Sequence, residues 1–215
     1  MGKHTALKIL FIGNSFTARN DLPAMIATLA AASDHTIDYE LISAGGASLR
    51  RHWNKGDAQR AIGRGKFDFV VLQEQSTLPI KNATRFHENV RQFDEVIRAA
   101  GARTALYMTW ARAHAPESQR ELTDAYTAIA DELDATLVPV GTVWQKFLAK
   151  HKQPVLHDAD GSHPTLAGSY LAACVFVGTL WSAQALKCEA PIEGLAETDA
   201  KVIREFARAH VAKPL

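Results

Sequence analysis

The chain of 215 residues has only two cysteines, Cys174 and Cys188, and a formal net charge of +1. It also has no apolar run long enough to span a bilayer, which takes about 18 residues. Two cysteines cannot build a disulfide framework, and Cys174 lies within the apolar stretch 170–181, where a thiol serves as a small core hydrophobe. The near-neutral charge excludes a global field that would recruit nucleic acid or an anionic membrane, so neither is expected as a partner. The apolar run 7–12 is too short for a signal-peptide core, and Ala6 stands where a myristoylation signal after Gly2 needs Ser or Thr. A cytoplasmic protein is the expectation. Gly-x-Gly-x-x-Gly and Gly-x-x-x-x-Gly-Lys are both missing, which argues against common nucleotide-binding loops.

Hydrophobic residues make up 47% of the chain and charged ones 22%, the balance of a globular protein. A domain of this size buries roughly 70% of its unfolded surface. No repeat, low-complexity tract or linker divides the sequence, and one domain over residues 1–215 is expected.

Five short apolar runs, 7–12, 37–42, 67–72, 104–109 and 136–140, read as strands, near-continuous in the manner of a parallel sheet buried on both faces. Helical periodicity separates them. Residues 21–33 carry Leu22, Met25, Ile26 and Leu29 behind a cap at Asn20 or Asp21, and 84–100 ends at Gly101. Residues 116–133 contain the capping-box pattern Ser118-Gln119-Arg120-Glu121. The stretch 165–185 is apolar nearly all round, and 197–209 is amphipathic. The alternation predicts a three-layer α/β/α sandwich on a mainly parallel, five-stranded sheet.

Ligands bind such sheets at the carboxyl ends of the strands, and the segments there are polar or glycine-rich. They are Gly13-Asn14-Ser15-Phe16-Thr17, Ser43-Ala44-Gly45-Gly46-Ala47-Ser48, Gln73-Glu74-Gln75-Ser76 and Trp110-Ala111-Arg112. Ser15 is either a helix cap or an exposed nucleophile. Asp160-Gly161-Ser162-His163 supplies either a turn or a carboxylate beside an imidazole, with Pro164 favouring the start of a helix. A hydroxyl needs a base to become a nucleophile, and the base needs a carboxylate to hold its tautomer. His157, Asp158, Asp160 and His163 also crowd one segment, though without the His-x-x-x-His or Cys-x-x-Cys spacing of metal sites. The loop 13–17 is an alternative phosphate cradle, as in flavodoxin-like binding proteins.

The ordered blocks resemble the SGNH hydrolases, the GDSL-like lipases and esterases. Gly13-Asn14-Ser15 is similar to their Gly-Asp-Ser block, Gly46 to their oxyanion glycine, and Asp160-Gly161-Ser162-His163-Pro164 to their final Asp-x-x-His block. The third block departs, with Gln73-Glu74-Gln75 where the family has Gly-x-Asn-Asp. The resemblance implies a flavodoxin-like SGNH fold and hydrolysis of a small-molecule carboxylic ester, with short-chain or acetyl esters, those of carbohydrates among them, as the expected substrates and no metal or organic cofactor. It makes Ser15 the nucleophile, His163 the general base and Asp160 its orienting partner. Backbone N–H groups of Ser15 and Gly46, with the Gln75 amide, would form the oxyanion hole, Gln73 being the alternative donor. Activity is then expected to rise through about pH 6 to 7 as the base loses its proton. Asn14, Gln73, Trp110 and Arg112 are candidate substrate-binding residues, and Trp53 with Arg50-Arg51-His52 would border the entrance. A catalytically degenerate member of the fold is the remaining alternative.

Overall fold

A computed structural model describes residues 6–211; the myristoylation reading at Gly2 lies outside them. Five strands form one sheet in the order β2-β1-β3-β4-β5, with β1 Leu7–Gly13, β2 Ile37–Ser43, β3 Phe69–Leu72, β4 Arg103–Tyr107 and β5 Thr136–Val138. Every pairing is parallel: Ile9 lies opposite Tyr39 on one side and Phe69 on the other, and Val71 opposite Ala105. The helices are α1 Ser15–Ala18, α2 Leu22–Ala31, α3 Leu49–Lys55, α4 Asp57–Arg64, α5 Leu78–Lys81, α6 Ala83–Ala99, α7 Gln119–Leu133, α8 Val140–Lys150, α9 Leu166–Leu180 and α10 Glu197–His210.

The twofold alternation of strand side chains divides the core. Ile9, Phe11, Phe69, Val71 and Tyr107 pack with α2, α8, α9 and α10. Leu10, Ile12, Val70, Leu72 and Leu106 pack on the opposite face with α3, α4, α6 and α7. The chain winds leftward from β1 to β2, then returns past β1 to β3. Strand order therefore reverses between β1 and β3, where an open α/β sheet leaves a crevice at its carboxyl edge. Ser15 follows β1 and Gln73-Glu74-Gln75 follows β3 at that crevice.

Several local expectations are corrected. As an edge strand, β2 leaves Asp38, Tyr39 and Glu40 exposed rather than burying both faces. The fifth strand ends at Val138, because Pro139 offers no N–H to the ladder and α8 begins at Val140. The capping box does not form: Ser118 Oγ donates to Ala115 O at 2.7 Å, inside a short 3-10 turn. Helix α9 stops at Leu180, five residues short of the periodic stretch. Cys174 is buried and Cys188 exposed, both as free thiols, and burial pushes the Cys174 thiol up to about 12.

Candidate active site

The first site segment is built around Asn14. Its side chain accepts from Phe16 N–H at 3.0 Å and caps α1, so the capping role considered for Ser15 falls to its neighbour. Ser15 is the first residue of that one-turn helix, half-buried, with its hydroxyl free to reach across the crevice. Gly13 has to be a glycine: a Cβ there would lie 2.5 Å from Thr17 Oγ1 and 2.7 Å from Gln73 Oε1.

The hydroxyl meets the second segment. Ser15 O–H donates to His163 Nε2 at 2.8 Å, across 148 residues of sequence. His163 Nδ1–H donates to Asp160 Oδ2 at 2.5 Å. A carboxylate only accepts, so this contact puts the ring proton on Nδ1 and leaves Nε2 as the acceptor for the serine. The other oxygen of Asp160 accepts the N–H groups of Ser162 at 2.9 Å and His163 at 2.8 Å. The His163 side chain first, then these two backbone donors, hold the carboxyl far below the usual carboxylate range. Hydroxyl, imidazole and carboxylate thus form one line of hydrogen bonds that can draw a proton off the serine.

Three contacts fasten this loop to the end of β4. Trp110 Nε1 donates to Ser162 O at 3.0 Å, Ala113 N to Gly161 O at 2.8 Å, and His157 Nε2 to Ala111 O at 3.0 Å. The Arg19–Asp158 ion pair (2.7 Å) and the Asn20 amide, which donates to Thr165 O and Ser169 Oγ, tie it to the nucleophile side. His157 faces Ala111 O and Asp158 faces Arg19, while Asp160 and His163 face each other. Among the described residues, no group of three or more His, Cys, Asp or Glu is arranged to hold a metal.

The turns on the other side carry N–H donors. Gly46 has φ +62° in the turn closed by Ala47 N–H to Ala44 O, a backbone conformation that favours glycine. Its own N–H has no acceptor among the described residues, and the N–H of Ser15, at the start of α1, has no intrahelical partner. Gln75 Oε1 accepts from Thr77 N, Thr77 Oγ1 and Leu78 N, all at 3.0 Å, which fixes the side chain and leaves its NH₂ group without a protein acceptor.

Three of the four candidate substrate contacts, Gln73, Asn14 and Trp110, are buried rather than open to a cleft. Gln73, 0% exposed, accepts from Asn14 N at 2.9 Å and Thr17 Oγ1 at 3.0 Å, and its NH₂ donates to Glu74 O. It is a brace beneath the nucleophile turn, buried away from any substrate. Asn14, 2% exposed, donates to Ala47 O at 2.9 Å and so ties the nucleophile turn to the glycine turn. Trp110, 2% exposed, stacks on Trp144 with ring centres 3.8 Å apart and packs on Phe16; a buried ring cannot wall an open cleft. Arg112 lines an apolar cavity of about 480 Å³ with Trp144, Leu148 and His157, on the β4 and α8 side of the molecule.

The entrance residues are corrected in part as well. Trp53 packs edge-on against Phe93, and His52 is buried, its Nε2–H donating to Gly13 O at 2.8 Å; burial lowers its pKa. In the loop 13–17 the N–H groups of Asn14, Phe16 and Thr17 are engaged within the protein, which leaves only that of Ser15 for the phosphate-cradle reading. Glu74 is expected from the sequence to point away from the oxyanion or to bind a backbone N–H, and it does bind two. It is fully buried, accepts from Leu49 N at 3.0 Å, Gln75 N at 2.7 Å and Asn89 Nδ2 at 2.9 Å, and so fixes both the start of α3 and the Gln75 turn. Desolvation raises its pKa against these donors.

Neither a protein-family model nor a curated protein matches the chain. Among solved structures, a Slackia heliotrinireducens protein assigned to the SGNH hydrolases is 31% identical, the match covering 82% of this chain and 100% of that one at a TM-score of 0.71. A DUF4886 family protein from Bacteroides uniformis is 20% identical over 95% of this chain and 94% of its own, at a TM-score of 0.74. Axe2, an acetylxylan esterase from Geobacillus stearothermophilus, is 16% identical over 84% and 99%, at a TM-score of 0.65. The last two likenesses show the fold.

Proposed function

The chain belongs to the SGNH hydrolase family, and on that premise we propose that it is a serine esterase cleaving short-chain carboxylic esters through an acyl-enzyme. The observation that carries this reading is the unbroken Ser15–His163–Asp160 line of hydrogen bonds. Ser15 Oγ attacks the ester carbonyl while its proton passes to His163 Nε2, and Asp160 stabilises the imidazolium that forms. Negative charge then develops on the carbonyl oxygen. The N–H groups of Ser15 and Gly46 and the NH₂ of Gln75 are the donors available to it, each worth about 3 kcal/mol of barrier. Collapse of the tetrahedral intermediate expels the alcohol, which takes the proton from Nε2. Water repeats the sequence on the acyl-serine and releases the acid. The acetylxylan esterase activity named for Axe2, on the same fold, supports acetyl and other small acyl groups.

The test is hydrolysis of 4-nitrophenyl acetate, butyrate and octanoate by wild type and Ser15→Ala. Turnover is expected to favour the short acyl groups, to survive a chelator, and to fall at least about 10³-fold in the variant. Wild-type rates in Ser15→Ala would exclude the mechanism.

A further inference from the structure

Beside the glycine turn and Gln75 lies a cleft of about 400 Å³, lined by Gly46, Gln75, Arg50, Arg51, Arg85 and Asn89 among others. Arg50 and Arg51 come from the first turn of α3, and Arg85 from the first turn of α6. Arg19, Arg60, Arg64, Arg91, Arg98 and Arg204 each pair with a carboxylate within 3.0 Å. None of the three cleft arginines has a carboxylate in ion-pair range among the described residues. Arg50 Nε donates to Asn89 Oδ1 at 3.0 Å, which aims the guanidinium, and its charge acts on buried Glu74 through Asn89 without a direct contact, whereas Arg51 and Arg85 have no such partner among the described residues. The nearest carboxyl in that network, Glu74, is fully buried with its oxygens already accepting three N–H groups.

Three like charges converging on one concave surface repel one another, and a bound anion relieves that repulsion. Guanidinium groups match the planar oxygens of carboxylate and phosphate in two-point hydrogen bonds. The cleft shares Gly46 and Gln75 with the proposed oxyanion donors, so an anion held there adjoins the reacting carbonyl. We propose that this cleft is the recognition site for an anionic group, carboxylate or phosphate, carried by the ester substrate. The proposal rests on the esterase reading for its substrate and on the arginine cluster for its charge.

Three chromogenic esters test it: neutral 4-nitrophenyl acetate, mono-4-nitrophenyl succinate with the charge on the acyl side, and 4-acetoxy-3-nitrobenzoate with the charge on the leaving group. At low ionic strength, one of the two anionic esters is expected to exceed the acetate in kcat/KM by about tenfold. That ratio is expected to shrink at high salt and collapse toward one in Arg51→Gln/Arg85→Gln, with Arg51→Lys/Arg85→Lys keeping part of it. A ratio at or below one in wild type, or one unchanged in the Gln variant, overturns the anion site. Calorimetry with succinate and with inorganic phosphate on the Ser15→Ala protein separates this from failure of the esterase reading. Binding of either anion that the Gln substitutions abolish supports the site even if none of the three esters turns over, an outcome that counts against the esterase reading alone. Absence of binding by both anions overturns the site.

Discussion

Gln73 Oε1 accepts the backbone N–H of Asn14 at 2.9 Å, joining the end of β3 to the residue that precedes Ser15. The same oxygen takes the Thr17 hydroxyl at 3.0 Å, so one buried side chain holds the nucleophile turn from below at two points. Gln73→Leu keeps the volume but strands both donors, at about 1–3 kcal/mol each. A thermal midpoint lowered by several degrees is expected, at roughly 2–4 °C per kcal/mol for a chain of this size. Esterase kcat should fall with it, because the turn that aims Ser15 loosens. An unchanged midpoint in differential scanning calorimetry would show that the brace is not needed.

Asp160→Asn separates orientation from folding. Its Oδ1 can still accept from Ser162 and His163 N–H, so the loop is expected to keep its shape. The contact to His163 Nδ1 then offers an amide instead of a carboxylate, which no longer selects the productive tautomer or stabilises the imidazolium. A loss of about 10³–10⁴-fold in kcat with a near-native thermal midpoint is expected. A variant within tenfold of wild type would remove Asp160 from the catalytic line.

His52 gives stability a pH dependence of definite sign. Burial lowers its pKa, so the folded protein holds the ring neutral while the unfolded chain protonates near pH 6.5. Its contribution is complete above about pH 6.5 and is lost as pH falls through that value toward the lower folded one. His157, also lowered by burial, adds with the same sign. Urea midpoints are expected to decline between pH 7.5 and 5.5, by at most about 1.4 kcal/mol per pH unit for each proton. His52→Gln, which keeps a donor for Gly13 O, should flatten the decline; equal slopes would contradict the assignment.

The sheet was legible because buried parallel strands are apolar runs, and the serine and histidine segments because their residue types are rare in that order. What escaped depends on partners distant in sequence. Trp110 reads as a cleft wall until Trp144 closes over it, 34 positions away. Helix α8 carries Val140, Val143, Trp144 and Phe147 at helical spacing, a signal that was available. Helices α3 and α4 are only seven and eight residues long, but Ala58, Ala61 and Ile62 keep helical spacing in α4, so that signal too was available. The roles of Gln73 and Glu74 follow from parity. Alternation from Val71 and Leu72 sends Gln73 to the face of the nucleophile turn and Glu74 to the face of α3 and α6. Gln73 thereby becomes a brace and Glu74 an anchor, leaving Gln75 as the residue of that block whose NH₂ group has no protein acceptor.

The central claim is that Ser15 is a nucleophile activated by His163. Treatment with a fluorophosphonate probe followed by peptide mass mapping addresses it directly. Wild type is expected to take up one equivalent of probe on Ser15, Ser15→Ala none, and His163→Ala to react far more slowly. Equal labelling of wild type and Ser15→Ala would contradict the account.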